Sequence, residues 1–176
     1  NIDKQKMSKS LGNFLMIKDV LKSYHPETIR LFLLSSHYRS PIDFSDKAMN
    51  EASARLDKFY SLLARVEEKI GPEKNQDLGE RPYWNNFQEA MDDDFNSALG
   101  LAVLFNGIRN LNAILDSDKE GLSPEIEKQI KNGRADLLEI GRNVLGIFTN
   151  SPTDYFNRKK ELVLSTSSID PLLIEK

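Results

Sequence analysis

The stretch Ser45-Asp46-Lys47-Ala48-Met49-Asn50-Glu51-Ala52-Ser53-Ala54-Arg55-Leu56-Asp57-Lys58-Phe59-Tyr60-Ser61-Leu62-Leu63-Ala64-Arg65-Val66-Glu67-Glu68-Lys69-Ile70 decides the fold class. Its apolar residues Met49, Ala52, Leu56, Phe59, Leu63, Val66 and Ile70 recur at three- or four-residue steps, the spacing of one helix face. Ser45 is suited to the N-cap, because its hydroxyl can accept from a free N–H of the first turn. Gly71-Pro72 supplies the stop. A long amphipathic helix must cover its stripe with other elements, and the flanking sequence offers more helices.

On the amino side, Ile17, Val20, Leu21 and Tyr24 mark one face of a short helix. Pro26 is placed to open a second, whose near-continuous Ile29, Leu31, Phe32, Leu33 and Leu34 predict burial. Between Ser36 and Phe44 the helical period fails, and Pro41 disfavours helix at Ser40, so this segment reads as irregular. On the carboxyl side, residues 71–82 are polar and rich in breakers, the expected linker. A short helix around Tyr83 to Met91 follows, then one capped by Asn96 or Ser97 running to about Leu115. Trp84, Phe87, Leu101, Phe105, Ile108 and Leu111 read as its bundle core. Ser123 and Pro124 open a helix through Ile126, Ile130, Leu137, Ile140 and Val144, with Gly146 weakening its end. From Thr149 onward, Ser, Thr, Pro and Asn predict a loosely ordered tail.

The chain has 176 residues, enough for one domain or two small ones, and can bury roughly two-thirds of its unfolded surface. At 39% hydrophobic and 29% charged it composes a folded protein, not a disordered one. No apolar run approaches the roughly 20 residues of a bilayer-spanning helix, so no membrane partner is expected. The start, Asn1 to Met7, lacks an apolar segment and an initiator methionine; neither a signal peptide nor an intact amino end is expected. Cysteine is absent and histidine is limited to His25 and His37, which removes thiolate nucleophiles and thiolate metal sites. Residues 1–70 carry a net charge of +3 and residues 71–176 a net of −6. That split permits local phosphate contact near the amino end without the basic stripe of a general nucleic-acid binder.

The chemistry concentrates in Lys6-Met7-Ser8-Lys9-Ser10-Leu11-Gly12-Asn13. Two lysines three apart, interleaved with hydroxyls and followed by glycine, can present ammonium and N–H groups to a polyphosphate. Taken alone, the pentamer Lys6–Ser10 reads as a solvated Lys/Ser linker ahead of a phosphate loop. Its context adds to it. The pentamer resembles the signature loop of class I aminoacyl-tRNA synthetases, and the following sequence resembles the cysteinyl-tRNA synthetase family. The resemblance runs through Ser10 to Phe14, Ile17 to Leu21, Ile29 to Leu34, His37 to Pro41, and Ala90 to Ser97, and covers roughly residues 3–148.

The resemblance implies a mostly α piece lacking the family's parallel-sheet catalytic domain. Residues 1–45 would hold the signature loop and stem-contact region, 46–148 an antiparallel helical bundle on the tRNA-stem side, and 149–176 the tail. It implies ATP with Mg and cysteine as substrates, tRNA for cysteine as partner, a monomer, and a cytoplasmic location. The family's zinc finds no ligands here. Lys9, then Lys6, are implied as catalytic lysines on the ATP phosphates, with Ser8 and Ser10 orienting the loop. Tyr38 and Arg39 are candidates for the tRNA acceptor end or inner bend, or else Arg39 pairs with a carboxylate and locks its loop. His37 reads as a structural hydrogen-bonding group. Asp92-Asp93-Asp94 reads as helix-start charge rather than a metal site, because the alternating ligand pattern of a calcium loop is missing. Arg158, Lys159 and Lys160 read as solvated. Two rivals stand beside this reading: a cysteine–amino-sugar ligase of the mycothiol type, and a non-catalytic helical module for tRNA or protein.

Overall fold

The computed structural model describes residues 2, 16–72, 80–117 and 121–166. They form α1 (Ile17–Val20), α2 (Pro26–Leu34), α3 (Asp46–Ile70), α4 (Trp84–Asp92), α5 (Ser97–Ser117), α6 (Pro124–Leu138) and α7 (Pro152–Thr166). A π-helical stretch, Glu139–Leu145, continues α6. Among the described residues no strand forms, and a single isolated parallel bridge joins Ile2 to Phe44. The expected mostly α architecture is what the chain adopts.

Local chemistry sets the helix starts. Ser45 Oγ accepts from the Ala48 N–H at 3.2 Å, and Ser123 Oγ accepts from the Ile126 N–H at 3.3 Å. Pro26 and Pro124 occupy first-turn positions, where a missing N–H costs nothing. Gly71 ends α3. The chain leaves the π-helical stretch at Gly146, whose φ of +64° favours glycine.

Six of the seven stripe residues of α3, Met49 to Val66, are buried, and Ile70 packs against the core from its edge. Tyr60 and Leu62 are buried too, because α3 is central and meets α2, α5, α6 and α7 on different sides. Leu104, Ile108 and Leu111 of α5 and Ile130 and Leu137 of α6 complete one hydrophobic cluster with Leu56, Phe59 and Val66. Each large side chain so buried contributes roughly 1.5–3 kcal/mol. Leu31 from α2 and Tyr155 from α7 belong to the same cluster.

Three expectations need correction. The segment after Thr149 is not loose over Pro152–Thr166 but helical. Ser151 Oγ accepts from the Asp154 N–H at 3.1 Å, and Tyr155 is fully buried, so capping and packing outweigh the loop-like composition. On α2 the apolar run is not uniformly buried: Leu31 is at 0% exposure and Leu33 at 47%, because the helix packs chiefly along one side, on α3. Helix α1 stops at Val20, continues only as turns, and buries Val20 alone of the four face residues. In addition, α5 is long and apolar enough to cross a bilayer by length and composition. Here it packs against α3, α4 and α6 and buries Leu101, Leu104, Ile108, Leu111 and Leu115.

Candidate functional site

Lys6, Ser8, Lys9 and Ser10 lie outside the described residues. The structure shows their flanks. Ile2 bridges to Phe44, whose ring meets Phe32 of α2 edge-on with centroids 6.0 Å apart. Beyond the loop, Met16 is the N-cap residue of α1.

After α2, the chain turns at His37, where the Ser40 N–H donates to the His37 carbonyl at 2.8 Å. The Arg39 N–H donates to His37 Nδ1 at 3.3 Å, and the His37 and Tyr38 rings stack at 4.9 Å. Tyr38 Oη donates to Asp94 Oδ1 at 2.8 Å and accepts from Arg39 Nε at 2.8 Å. Arg39 Nη2 reaches the same Asp94 oxygen at 3.1 Å, and His37 Nε2 lies 3.8 Å from Asp94 Oδ2. The hydrogen bond to Asp94 pushes the Tyr38 phenol above its usual value, so it stays protonated and remains a donor. Two sequence candidates therefore converge on one carboxylate, and both stay exposed: Tyr38 at 58%, the Arg39 side chain at 68%.

Asp94 can reach them because the turn between α4 and α5 is unusual. Asp94 and Phe95 both have positive φ, +53° and +52°, a conformation that costs a bulky residue such as Phe95 on the order of 1–3 kcal/mol. Ser97 Oγ donates to the Leu34 carbonyl at 3.0 Å and fastens this turn to the end of α2. The acidic run does not cap α5 as expected. Asp92 and Asp93 close α4, and Asn96 Oδ1 accepts from the Leu99 N–H at 3.1 Å in the capping role. Negative charge at a helix carboxyl end is unfavourable, and Arg39 offsets it at Asp94.

At the other end of α2 lies a site that sequence reading missed. Glu27, in the first turn of α2, is 5% exposed and accepts from five donors. Tyr60 Oη of α3 donates at 2.8 Å, the Phe148 and Thr149 N–H groups at 2.9 Å each, and Asn150 Nδ2 at 2.9 Å; the Thr149 hydroxyl completes the set. Burial pushes the Glu27 carboxyl up, but the bonds from Thr149, Tyr60 and Phe148 outweigh it and hold the group below the usual carboxylate range. Beside it, His25 Nδ1 accepts from the Glu27 N–H at 3.3 Å as N-cap. Its Nε2 is buried without a hydrogen-bond partner among the described residues. Burial pushes this imidazole down, with Arg158 and Lys159 adding to the effect and Glu27 opposing it. Lys159 is not simply solvated: it pairs with Asp57, 2.6 Å from Nζ to Oδ1, which also accepts from Tyr155 Oη at 2.8 Å. An acidic residue in a first helical turn gives no hint of such donors, since the residues that supply them are distant in sequence.

A family model described as the tRNA synthetases class I (C) catalytic domain matches residues 1–54, and one described as the DALR domain matches residues 86–149. All of the chain aligns with the cysteine–tRNA ligase of Geobacter metallireducens at 40% identity, covering 39% of that protein. The cysteine–tRNA ligases of Geobacter sulfurreducens and Pelobacter propionicus align over all of the chain at 40% and 39% identity, covering 37% and 38% of their lengths. The chain thus spans about two fifths of the curated relatives it matches.

Proposed function

We propose that this chain, which aligns over its whole length with cysteine–tRNA ligases, is part of such an enzyme and supplies its ATP-phosphate loop and tRNA-facing helices. The reaction joins cysteine to ATP as cysteinyl-adenylate with release of pyrophosphate, then passes the cysteinyl group to the terminal ribose of tRNA for cysteine. One observation carries the reading: the catalytic-domain match over residues 1–54 and the DALR match over 86–149 follow one another in a single alignment to these ligases. The relatives being tRNA ligases favours tRNA over an amino-sugar acceptor.

In this reading Lys9 meets the ATP phosphates and the charge that develops on the departing pyrophosphate, with Lys6 second. Ser8 and Ser10 orient the loop, and Mg accompanies ATP. Tyr38 and Arg39 face the acceptor end or the inner bend of the tRNA from the surface where both meet Asp94. The family's zinc has no match here: the chain contains no cysteine, and among the described residues no three His, Cys, Asp or Glu side chains gather. No step is assigned to zinc in this chain. The isolated chain is expected not to aminoacylate, and the intact protein to act as a cytoplasmic monomer.

The test is Lys9→Ala in a protein joining this chain to its ATP-binding part. Losing a donor to developing charge costs about 2.7–4 kcal/mol, or roughly 10²–10³-fold in ATP–pyrophosphate exchange, with circular dichroism unchanged. Exchange at the wild-type rate would overturn the assignment.

A further inference from the structure

In a chain of net charge −3, one surface groove has the opposite sign. It runs between α3 and α5, encloses about 390 Å³, and is walled by Arg55, Lys58 and Arg109 over a floor of Leu101, Phe105 and Ile108. Among the described residues no carboxylate lines it. Arg55 and Lys58 stand three residues apart on α3, hence side by side on its surface, while Arg109 faces them from α5. Among the described residues Arg55 and Lys58 have neither a hydrogen-bond nor an ion-pair partner, and Arg109 meets only the neutral amide oxygen of Asn106.

Neighbouring cations behave differently. Further along α3, Arg65 is engaged by Asp116 and Asn112. Asp57, which borders the adjoining hollow, is occupied by Lys159 and Tyr155. Glu51, one turn before Arg55 and at the edge of another hollow, makes no ion pair with it. Three cations are left without an ion pair among the described residues over an apolar floor, although Lys58 and Arg109 also border the adjoining hollow with Asp57 and Asp116. Such an arrangement focuses its field outward, because the low-dielectric wall does not screen it.

We infer that the α3–α5 groove docks the sugar–phosphate backbone of RNA, with Arg55, Lys58 and Arg109 on successive phosphates. Guanidinium forks and an ammonium suit phosphate oxygens, and the half-buried Phe105 offers a face to ribose or base. The groove adjoins the turn already described: Ser35, at the end of α2, lines it three residues before Tyr38. The choice of RNA rests on the reading of the chain as part of a tRNA ligase.

The full 176-residue chain would be titrated into fluorescein-labelled tRNA transcript for cysteine, followed by anisotropy from 50 to 200 mM salt. Replacing all three cations by alanine should raise Kd at least tenfold at low salt and lower the slope of log K against log salt by about 2–3. Arg55→Lys with Arg109→Lys should keep most of the slope. All three side chains are exposed, so circular dichroism should stay unchanged. A reference variant, Lys128→Ala with Arg158→Ala and Lys160→Ala, removes three exposed cations elsewhere and should cost less than half as much slope. An unchanged Kd and slope in the groove variant, an equal loss in the reference variant, or no RNA binding by the wild-type chain would each overturn the inference. The Lys9 exchange assay is independent of these outcomes, since adenylate formation uses no RNA.

Discussion

Glu27 and Asp94 each accept a hydrogen bond from a tyrosine hydroxyl at 2.8 Å, yet they live in opposite surroundings. Glu27 is buried, and the groups around it are two backbone N–H donors and side chains fixed by packing. Asp94 lies at the surface, and its partners are long, exposed side chains on an irregular segment. In the first case water is excluded and each lost partner leaves a desolvated group behind. In the second, water and ions compete with every contact, so one anion can be exchanged for another at small cost. A buried carboxylate therefore fixes geometry, and an exposed one holds a cation ready.

The largest effect should come from Glu27→Ala, with a loss of about 3–5 kcal/mol, the usual cost of deleting one member of a buried charged network. It would be read as a lower urea midpoint with an unchanged slope. Glu27→Gln, which keeps one acceptor oxygen, should lose less; a loss under about 1 kcal/mol for the alanine variant would show that α2 is held by other contacts.

Next in size is the pH dependence of stability. Both His25 and Glu27 have folded values pushed below their ordinary 6.5 and 4.5, so the unfolded chain takes up each proton first. The His25 contribution is complete above about pH 6.5 and declines as pH falls toward its folded value; Glu27 follows the same sign below pH 4.5. His25→Asn, which keeps an N-cap acceptor but does not titrate, should flatten urea midpoints between pH 5 and 6.5. A wild-type slope in that variant would assign the dependence elsewhere.

The smallest effect on stability belongs to Asp94→Asn, whose urea midpoint should match wild type within error. Its signature is in binding: with the competing anion gone, Arg39 should be freer for phosphate and tRNA affinity should rise about two- to fivefold, whereas Arg39→Ala should lower the salt slope by about 1. A drop in affinity for Asp94→Asn would mean that the carboxylate orders Arg39 rather than occupying it.

What the sequence made legible was local. Ser45, Pro26, Ser123 and Pro124 act within their own first turns, so their roles could be read residue by residue. The π-helical stretch left no such mark: Gly141 is needed because a Cβ there would stand 2.1 Å from the Phe148 ring, a contact across a later turn. Ser151-Pro152 opens α7 with the same pairing that Ser123-Pro124 shows, but polar neighbours disguised it as loop. The Tyr38–Arg39 pair was visible as chemistry and its partner was not, because Asp94 looked like a helix-start charge. Glu27 and the Arg55–Lys58–Arg109 groove were invisible for one reason: each is assembled from elements far apart in the chain. The lysines of the signature loop were the plainest sequence feature and lie outside the described residues.

The tie between Glu27 and the Phe148 N–H spans 121 residues. At roughly 5–20 residues per second of synthesis, about 6–24 s pass between the emergence of the carboxylate and that of its backbone donors. For that interval the Glu27 carboxylate has only the Tyr60 hydroxyl among its five donors, and water must supply the rest. Helix α2 can therefore seat on α3 early, while its Glu27 end acquires its full donor set only after α3, α5 and α6 have emerged. A nascent chain stalled before residue 148 should hold α2 on α3 with Glu27 still lacking the four donors that Phe148, Thr149 and Asn150 supply.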